Sequence, residues 1–450
     1  MKSELSVLLR LSAPMIATQF FIMGMGFVDT AMSGQYSSLD LAGVAIGGVI
    51  LWPLFMLFAG VLTALTPMVS QHVGGERRLS VGPLIQQGIW VAMLFGVILF
   101  LLVRISEPLL ILFDVAPEAV TIAMAYLKAA SWGCPAVMLY VTLRYACEGL
   151  GQTLLPMLIA GTTLPINAGL NYVLIYGLFG APELGGEGCG WATAITMWFE
   201  LGVMLLVIRR PWLRNTGLFE RVLKPKLATI KSILQVGLPI GMTMFLEMTV
   251  FSLVSLLVGS IGIAAIGANT IGGNLNWFVF VIPMALGSAA SIRVGYHVGA
   301  KDYALAAKVA RLSVLISATY AFLASLVLVL GREVLPRIYT SDPAVLALTA
   351  EVLLIVAAYQ FFDCTQATMI GALRGYKDTQ YPMIISIIGY WLIALPVGTI
   401  LGWGLLGWNL GVLGFWIGLG CGVGFVALFA IVRLYRTSRD VDRIARFSRI

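Results

Sequence analysis

Stretches of about 20 residues with scarcely a charge recur along this whole chain, and a hydrocarbon core of about 30 Å takes that length of helix to cross. Twelve such runs stand at about 7–32, 41–69, 84–106, 119–147, 154–177, 188–208, 229–259, 264–292, 304–330, 344–372, 380–402 and 411–435. Inside lipid every backbone N–H and C=O must find its partner within the segment, so runs of this length and composition predict helices rather than strands. With 60% hydrophobic and 11% charged residues and a mean hydropathy of +0.96, the chain cannot be a soluble globule. The first run begins almost at once, is too long for the apolar part of a cleaved leader and lacks a small-residue cleavage site, so it is expected to stay as the first span. The longest polar connection, about 209–228, leaves no room for a large soluble domain.

Twelve spans put the even-numbered connections on the side of the amino terminus. Of the 28 Lys and Arg, all but Arg104, Lys128, Arg332 and Arg337 fall on that side. The positive-inside rule then places both termini, Lys2 and Arg449 included, in the cytoplasm and the loop around Gly185 outside. The net charge of +7 is therefore topology and no nucleic-acid footprint.

The chain is built twice. PMIATQFFIMGMGFVDTAMSG from Pro14 is answered by PIGMTMFLEMTVFSLVSLLVG from Pro239, at an offset of 225 in a chain of 450. His72-Val73-Gly74 and His297-Val298-Gly299 share that offset, while Pro156-Met157 and Pro382-Met383, or Leu184-Gly185 and Leu410-Gly411, stand 226 apart. Halves with an even number of spans share one orientation, so these are parallel repeats about an axis along the membrane normal. The expected architecture is an all-α integral membrane protein of twelve transmembrane helices, in two six-helix lobes around a central cleft. Residues 1–208 form one lobe, 209–228 a cytoplasmic linker, 229–435 the other lobe, and 436–450 a basic cytoplasmic tail.

The polar residues differ between the halves. A carboxylate inside a span disfavours insertion by about 2.5–3.5 kcal/mol and calls for a role. Asp29 answers Val254 and Glu247 answers Ile22, so the two acids lie seven repeat positions, or two turns, apart on about one helical face, which is expected to look inward. Asp363 in the tenth span joins Glu247, with Tyr359 one turn earlier on its own helix. Two carboxylates in a low dielectric either share a proton or hold a cation such as Na⁺. A buried acid can also be structural, tied to a helix end or a serine, but a pair points to ion handling. In the first half Asp29 stands with Asn167 and Asn171, whose counterparts at offset 226 are Ile393 and Val397. Asp29 lies near the outer end of its span, where an interfacial acid is the alternative reading. Glu200 in the sixth span has no evident partner.

Other features carry less. Met15, Met23, Met25, Met32, Met242, Met244 and Met248 stud the opening helices and suit a surface that re-packs around varied apolar ligands, as well as ordinary packing. His72 and His297 are expected at matching loop positions. Cys134, Cys147, Cys189, Cys364 and Cys421 lie in or beside apolar runs without CxxC spacing, which is packing rather than a disulfide or metal framework. There is no GxxxxGK[ST] to cradle ATP phosphates and no nucleophile–base pairing on one face, so neither an ATPase nor a membrane enzyme is indicated.

GFVDTAMSG in the first span, YGLFGAPELGGEGCGWATAI at 176–195, FLEMTVF at 245–251 and ALRGYKDT at 372–379 resemble the MATE (multidrug and toxic compound extrusion) family in its NorM-like bacterial branch. The resemblance covers essentially the whole chain. It implies a functional monomer in the bacterial cytoplasmic (inner) membrane that exports bulky, mostly cationic drugs and dyes by antiport against Na⁺ or H⁺, with no cofactor beyond the coupling ion. It also implies roles. Asp29 would be the first-span acid, Glu247, Asp363 and Tyr359 the second-lobe cation or proton site, and Asn167, Asn171 and Thr193 the polar companions of Asp29 in a substrate or proton site. Two positions depart from the pattern: Asn171 stands where some relatives have an aspartate, and Phe280 where some use a tyrosine hydroxyl. The alternative is a flippase for lipid-linked oligosaccharides. Such a protein is expected to line its cleft with basic residues, whereas no Lys or Arg falls near the middle of a span here. A channel is disfavoured by the duplicated lobes and the lack of a filter-like motif.

Overall fold

Every apolar run is helical, and among the described residues there is no strand. The computed structural model describes residues 2–112, 116–209, 215–407 and 409–448. The linker arginines Arg210 and Arg214 and the tail residue Arg449 lie outside the described residues. In chain order the first half holds α1 (Lys2–Tyr36), α2 (Ser38–Leu62), α3 (Leu65–Gly74), α4 (Val81–Arg104), α5 (Glu107–Leu112), α6 (Pro117–Ser131), α7 (Cys134–Gly149), α8 (Leu154–Tyr176) and α9 (Gly186–Val207). The second holds α10 (Leu227–Gly259), α11 (Ile263–Gly299), α12 (Tyr303–Gly331), α13 (Pro343–Gly375), α14 (Gln380–Ser386), a π-helical stretch Ile387–Ala394, α15 (Leu395–Trp403), α16 (Val412–Thr437) and α17 (Val441–Ser448). Among the described residues eleven helices are long and apolar enough to span, with α2–α3 and α14–α15 each counted as one. The bent pair α6–α7, turned by 53°, supplies the twelfth.

Several helices outrun the apolar stretches that announced them. α11 continues past the expected residue 292 to Gly299, and α3 ends at Gly74, so His72 and His297 occupy last helical turns rather than loops. Side-chain caps fix the starts. Ser37 accepts from the backbone N–H of Leu39 and Asp40, Asp302 from Leu305, and Asp342 from Ala344 just before Pro343 opens α13.

The helices gather into two compact units, Ala13–Gly241 and Met1–Ser12 with Met242–Ile450. The leading helix of each repeat therefore begins in one unit and continues in the other, changing over beside Pro14 in α1 and Pro239 in α10. In the unit that contains residues 242–450, the early turns of α1 are held by Glu4, whose two carboxylate oxygens accept from Arg293 Nε and Nη2 at 2.7 Å each. His297 Nε2 stands 3.5 Å from the same carboxylate. In the unit of residues 13–241, the described part of the linker is clipped along α4. Gln86 donates to the carbonyls of Leu218 and Arg221 and accepts from Leu223 N–H, while Gln87 bonds Lys224 and Lys226 in the same way.

Within the second unit α11 and α13 pack so closely that a Cβ on Gly371 would run into the Gly287 carbonyl. Val250, Val254, Ala268, Val352, Val356, Phe415, Trp416 and Leu419 fill the core around them.

From α8 onward the two repeats keep an offset of 226 except across one stretch. Gly185 and Gly411 start the last helix of each repeat with φ of 56° and 57° and ψ of −131° and −135°, and they stand 226 apart. Both need a residue without a Cβ. The preceding helices end on left-handed Gly177 and Gly404, which stand 227 apart. Burial shows where the extra residue enters. Pro156, Ile159 and Ala160 of α8 match buried Pro382, Ile385 and Ser386 at offset 226. Asn167, Asn171 and Ile175 match buried Ala394, Gly398 and Gly402 at 227. Thr163 alone faces two residues, Gly389 and Tyr390, inside the π-helical stretch. A π-bulge is the way a helix absorbs one added residue without rotating what lies beyond it. The counterparts of Asn167 and Asn171 are therefore Ala394 and Gly398, one position later than the constant offset of 226 predicts.

Candidate functional site

Each acid singled out by the sequence is engaged inside its own unit. In the first, Asp29 lies on α1 two turns before its end, and Asn171 Nδ2 on α8 donates to its Oδ1 at 2.6 Å. The same amide nitrogen stands 3.2 Å from Asn167 Oδ1, one turn away, so the two asparagines and the aspartate form one chain. Asn167 and Asn171 are buried, and Asn171 Oδ1 has no hydrogen-bond partner among the described residues. Thr193 is also buried but spends its hydroxyl on the Cys189 carbonyl one turn back in α9, at 3.0 Å. Cys189 and Tyr126 are the neighbours of Asp29 that the sequence did not reveal. The end of α1 is tied to the rest of the unit by Tyr176 Oη donating to the Met32 carbonyl at 3.1 Å and Tyr36 Oη donating to Glu183 at 2.9 Å.

In the second unit Glu247 on α10 accepts from Tyr390 Oη at 2.9 Å, and Gln366 Nε2 on α13 donates to that hydroxyl oxygen at 3.2 Å. Tyr390 is fully buried, with Asp363, Tyr359 and Gln366 at 2% exposure or less. Asp363 feels the charge of Glu247 and lies beside Tyr359 and Tyr390, which assembles two carboxylates, two phenols and one amide in a single pocket of side chains. Three of its oxygens, Tyr359 Oη, Asp363 Oδ1 and Gln366 Oε1, are buried without a hydrogen-bond partner among the described residues. An orphaned buried polar atom of this kind disfavours the fold by about 1–3 kcal/mol, and a cation, a proton or water could satisfy the three together. The aromatic wall around Tyr359 comes from Phe251 and Trp416, with ring centroids 6.5 and 5.8 Å away in edge-on contact.

Among the described residues Arg144, Arg293, Arg433 and Arg443 pair with Glu148, Glu4, Asp378 and Asp440, while Asp29, Glu247 and Asp363 take part in no ion pair. Glu200, without a partner in the sequence reading, is buried in the field of Arg144. Glu247, Asp363 and Tyr359 come together as the spacing suggested, and so do Asp29, Asn167 and Asn171. Thr193 makes no hydrogen bond to that group. Tyr390 and Gln366 were missed because nothing in a constant repeat offset brings residue 390 opposite residue 247.

The family model MatE matches residues 14–173 and 239–400, one match per repeat. Multidrug resistance protein PmpM of Pseudomonas aeruginosa is 40% identical over 98% of this chain and 93% of its own length. A probable multidrug resistance protein NorM of Idiomarina loihiensis is 35% identical over 98% and 96%. Among solved structures, the eukaryotic MATE transporter AtDTX14 is similar in fold with a TM-score of 0.90 at 19% identity, covering 99% of this chain and 98% of that one. The Vibrio cholerae MATE transporter VcmN in its bent form gives 0.84 at 18% identity, over 99% and 100%.

Proposed function

Because the chain belongs to the MatE family, in its bacterial NorM-like branch, we propose that it is a multidrug efflux transporter driven by uptake of a monovalent cation, Na⁺ or H⁺, at Glu247 and Asp363. The observation that carries the coupling site is the set of unpaired oxygens beside two carboxylates that take part in no ion pair among the described residues. Na⁺ prefers an all-oxygen shell, and Glu247, Asp363 and Tyr359 supply one. A proton could instead be taken up by the same carboxylates. Loading the ion changes the charge of the site by one unit, and that change drives the exchange for drug as the protein alternates between its two exposures. Asp29 with Asn167 and Asn171 forms a separate site for drug or proton. Acids that take part in no ion pair among the described residues favour cationic substrates such as ethidium-like dyes. The charge bias of the loops supports both termini in the cytoplasm, and the bacterial relatives support an inner-membrane location.

The test is ethidium efflux from everted membrane vesicles with Na⁺ and pH gradients imposed separately. Wild type should respond to one gradient or to both. Glu247→Gln and Asp363→Asn should insert normally and lose the response. Gradient-driven efflux by Glu247→Gln at the wild-type rate would overturn the assignment.

A further inference from the structure

The residue that the second repeat adds is the one that touches its acid. Where α8 has the single buried Thr163, the π-helical stretch has Gly389 and Tyr390, and Tyr390 sends its hydroxyl 2.9 Å from Glu247. A plain α-helix at this point would keep offset 226 throughout and would place one residue where two now stand. The stretch is also pressed against α16, since a Cβ on Gly389 would run into Val426 and lie 2.7 Å from the Gly422 carbonyl. The bulge therefore has one packed position, and the phenol it delivers is held in place.

We infer that Tyr390 is a positioning residue of the coupling site, brought there by a one-residue insertion, and that Gln366 is its support. The inference rests on the assignment of Glu247 and Asp363 as the ion-coupling acids. A phenol has one proton to give. With Gln366 Nε2 donating to its oxygen, that proton is directed at Glu247 Oε1, so Tyr390 acts on Glu247 as a donor only. A donor on one carboxylate oxygen fixes the plane of the carboxylate and leaves the second oxygen for the ion. It also satisfies the ionised form, the form that a cation requires. Gln366 Oε1, buried and unpartnered, remains as a further neutral oxygen for the shell. The groups facing Glu247 are Asp363 and Tyr359 from α13 and Tyr390 from the bulge, with Arg374 the cation that acts on it. In the first unit the equivalent threonine hydroxyl bonds its own helix, to the Ile159 carbonyl at 2.7 Å, and serves no acid.

The experiment measures the Na⁺ concentration and, separately, the proton gradient that give half-maximal ethidium efflux from everted vesicles, for wild type, Tyr390→Phe, Gln366→Leu and Glu247→Gln. Tyr390→Phe keeps the ring and removes only the donor. It should shift the half-maximal ion requirement about tenfold, the size of one charge-assisted hydrogen bond, upward for Na⁺ and downward for H⁺ because the lost donor favoured the ionised carboxylate, with the maximal rate near wild type. Gln366→Leu should shift it in the same directions by about threefold through the weakened relay. A purely structural role would lower the yield or the maximal rate and leave the ion requirement where it was, and that result would sink the inference while Glu247→Gln remained inactive. If Tyr390→Phe does not reach the membrane, the shift in Gln366→Leu decides. Unimpaired efflux by Glu247→Gln would instead overturn the coupling site itself, and the role of Tyr390 with it.

Discussion

In the unit of residues 13–241 the first and fifth helices of the repeat meet at Asp29 and Asn171, and in the other unit the same two helices meet at Glu247 and Tyr390. The contact is conserved as a place in the fold but moved along it. Asp29 and the repeat equivalent of Glu247 are seven residues apart, about 10 Å of helix rise. On the partner helix Asn171 stands two turns beyond Thr163, the single residue that faces Gly389 and Tyr390. The scaffold was thus copied and its polar register was not. One unit offers an acid with two carboxamides near the end of a span. The other offers two acids with two phenols nearer the middle, and unpaired oxygens around them. A duplicated scaffold with unlike contents can serve two unlike roles, as proposed for the ion and the drug, without either site being a copy of the other.

The comparison breaks most visibly if the bulge is not an insertion. Deleting Tyr390 should convert the π stretch to plain α-helix and leave 394–403 in register. Deleting Thr163 should turn the rest of α8 by about 100° and carry Asn167 and Asn171 away from Asp29. Membrane yield and thermal unfolding of detergent-solubilised protein should stay near wild type for the first and collapse for the second. Equal loss in both would show that residue 390 is not the added one.

The division of labour comes next. Asp29→Asn should keep Na⁺ or H⁺ dependence of efflux while changing which dyes are exported or the pH at which they are. Glu247→Gln should reduce gradient-driven efflux about a hundredfold, matching the roughly 3 kcal/mol at stake when one partner of a buried charged site is removed. Matched losses on every substrate would make the two sites one.

A smaller effect sharpens the first site alone. Asn171→Leu leaves Asp29 without its 2.6 Å donor and should destabilise the purified protein by about 1–3 kcal/mol, whereas Thr193→Val, which removes only a bond within its own helix, should cost about 1 kcal/mol or less. Thermal unfolding of the two variants separates these cases, and a larger effect from Thr193→Val would place that residue in the site after all.

The smallest contrast concerns the linker, since Gln86 and Gln87 answer Arg311 and Leu312 and, among the described residues, nothing equivalent clips the second repeat. Gln86→Leu with Gln87→Leu should free residues 218–226 to proteases and leave efflux within about twofold, because each lost bond is worth only about 1 kcal/mol. Unchanged proteolysis would mean that the clip contributes nothing.

The sequence by itself determined the membrane class, the helix count, the duplication and the acids. Those follow from rules that act over one segment at a time: apolar length against bilayer thickness, charge against topology, and the expense of a carboxylate in lipid. Even Glu247, Asp363 and Tyr359 could be grouped, because the last two lie one turn apart on a single helix and a pair of buried acids demands company. What only the tertiary structure decided is which residues finish each group. Tyr390 reaches Glu247 from another helix with Gln366 of a third behind it, and His72 and His297 proved helical because α3 and α11 run beyond their apolar cores. The single added residue in the eleventh span is invisible to a constant offset, because a compensating loss in the following loop restores 226 by Gly411. Only the burial pattern on both sides of the bulge exposes it, and burial is a property of helices packed together, which no one segment contains.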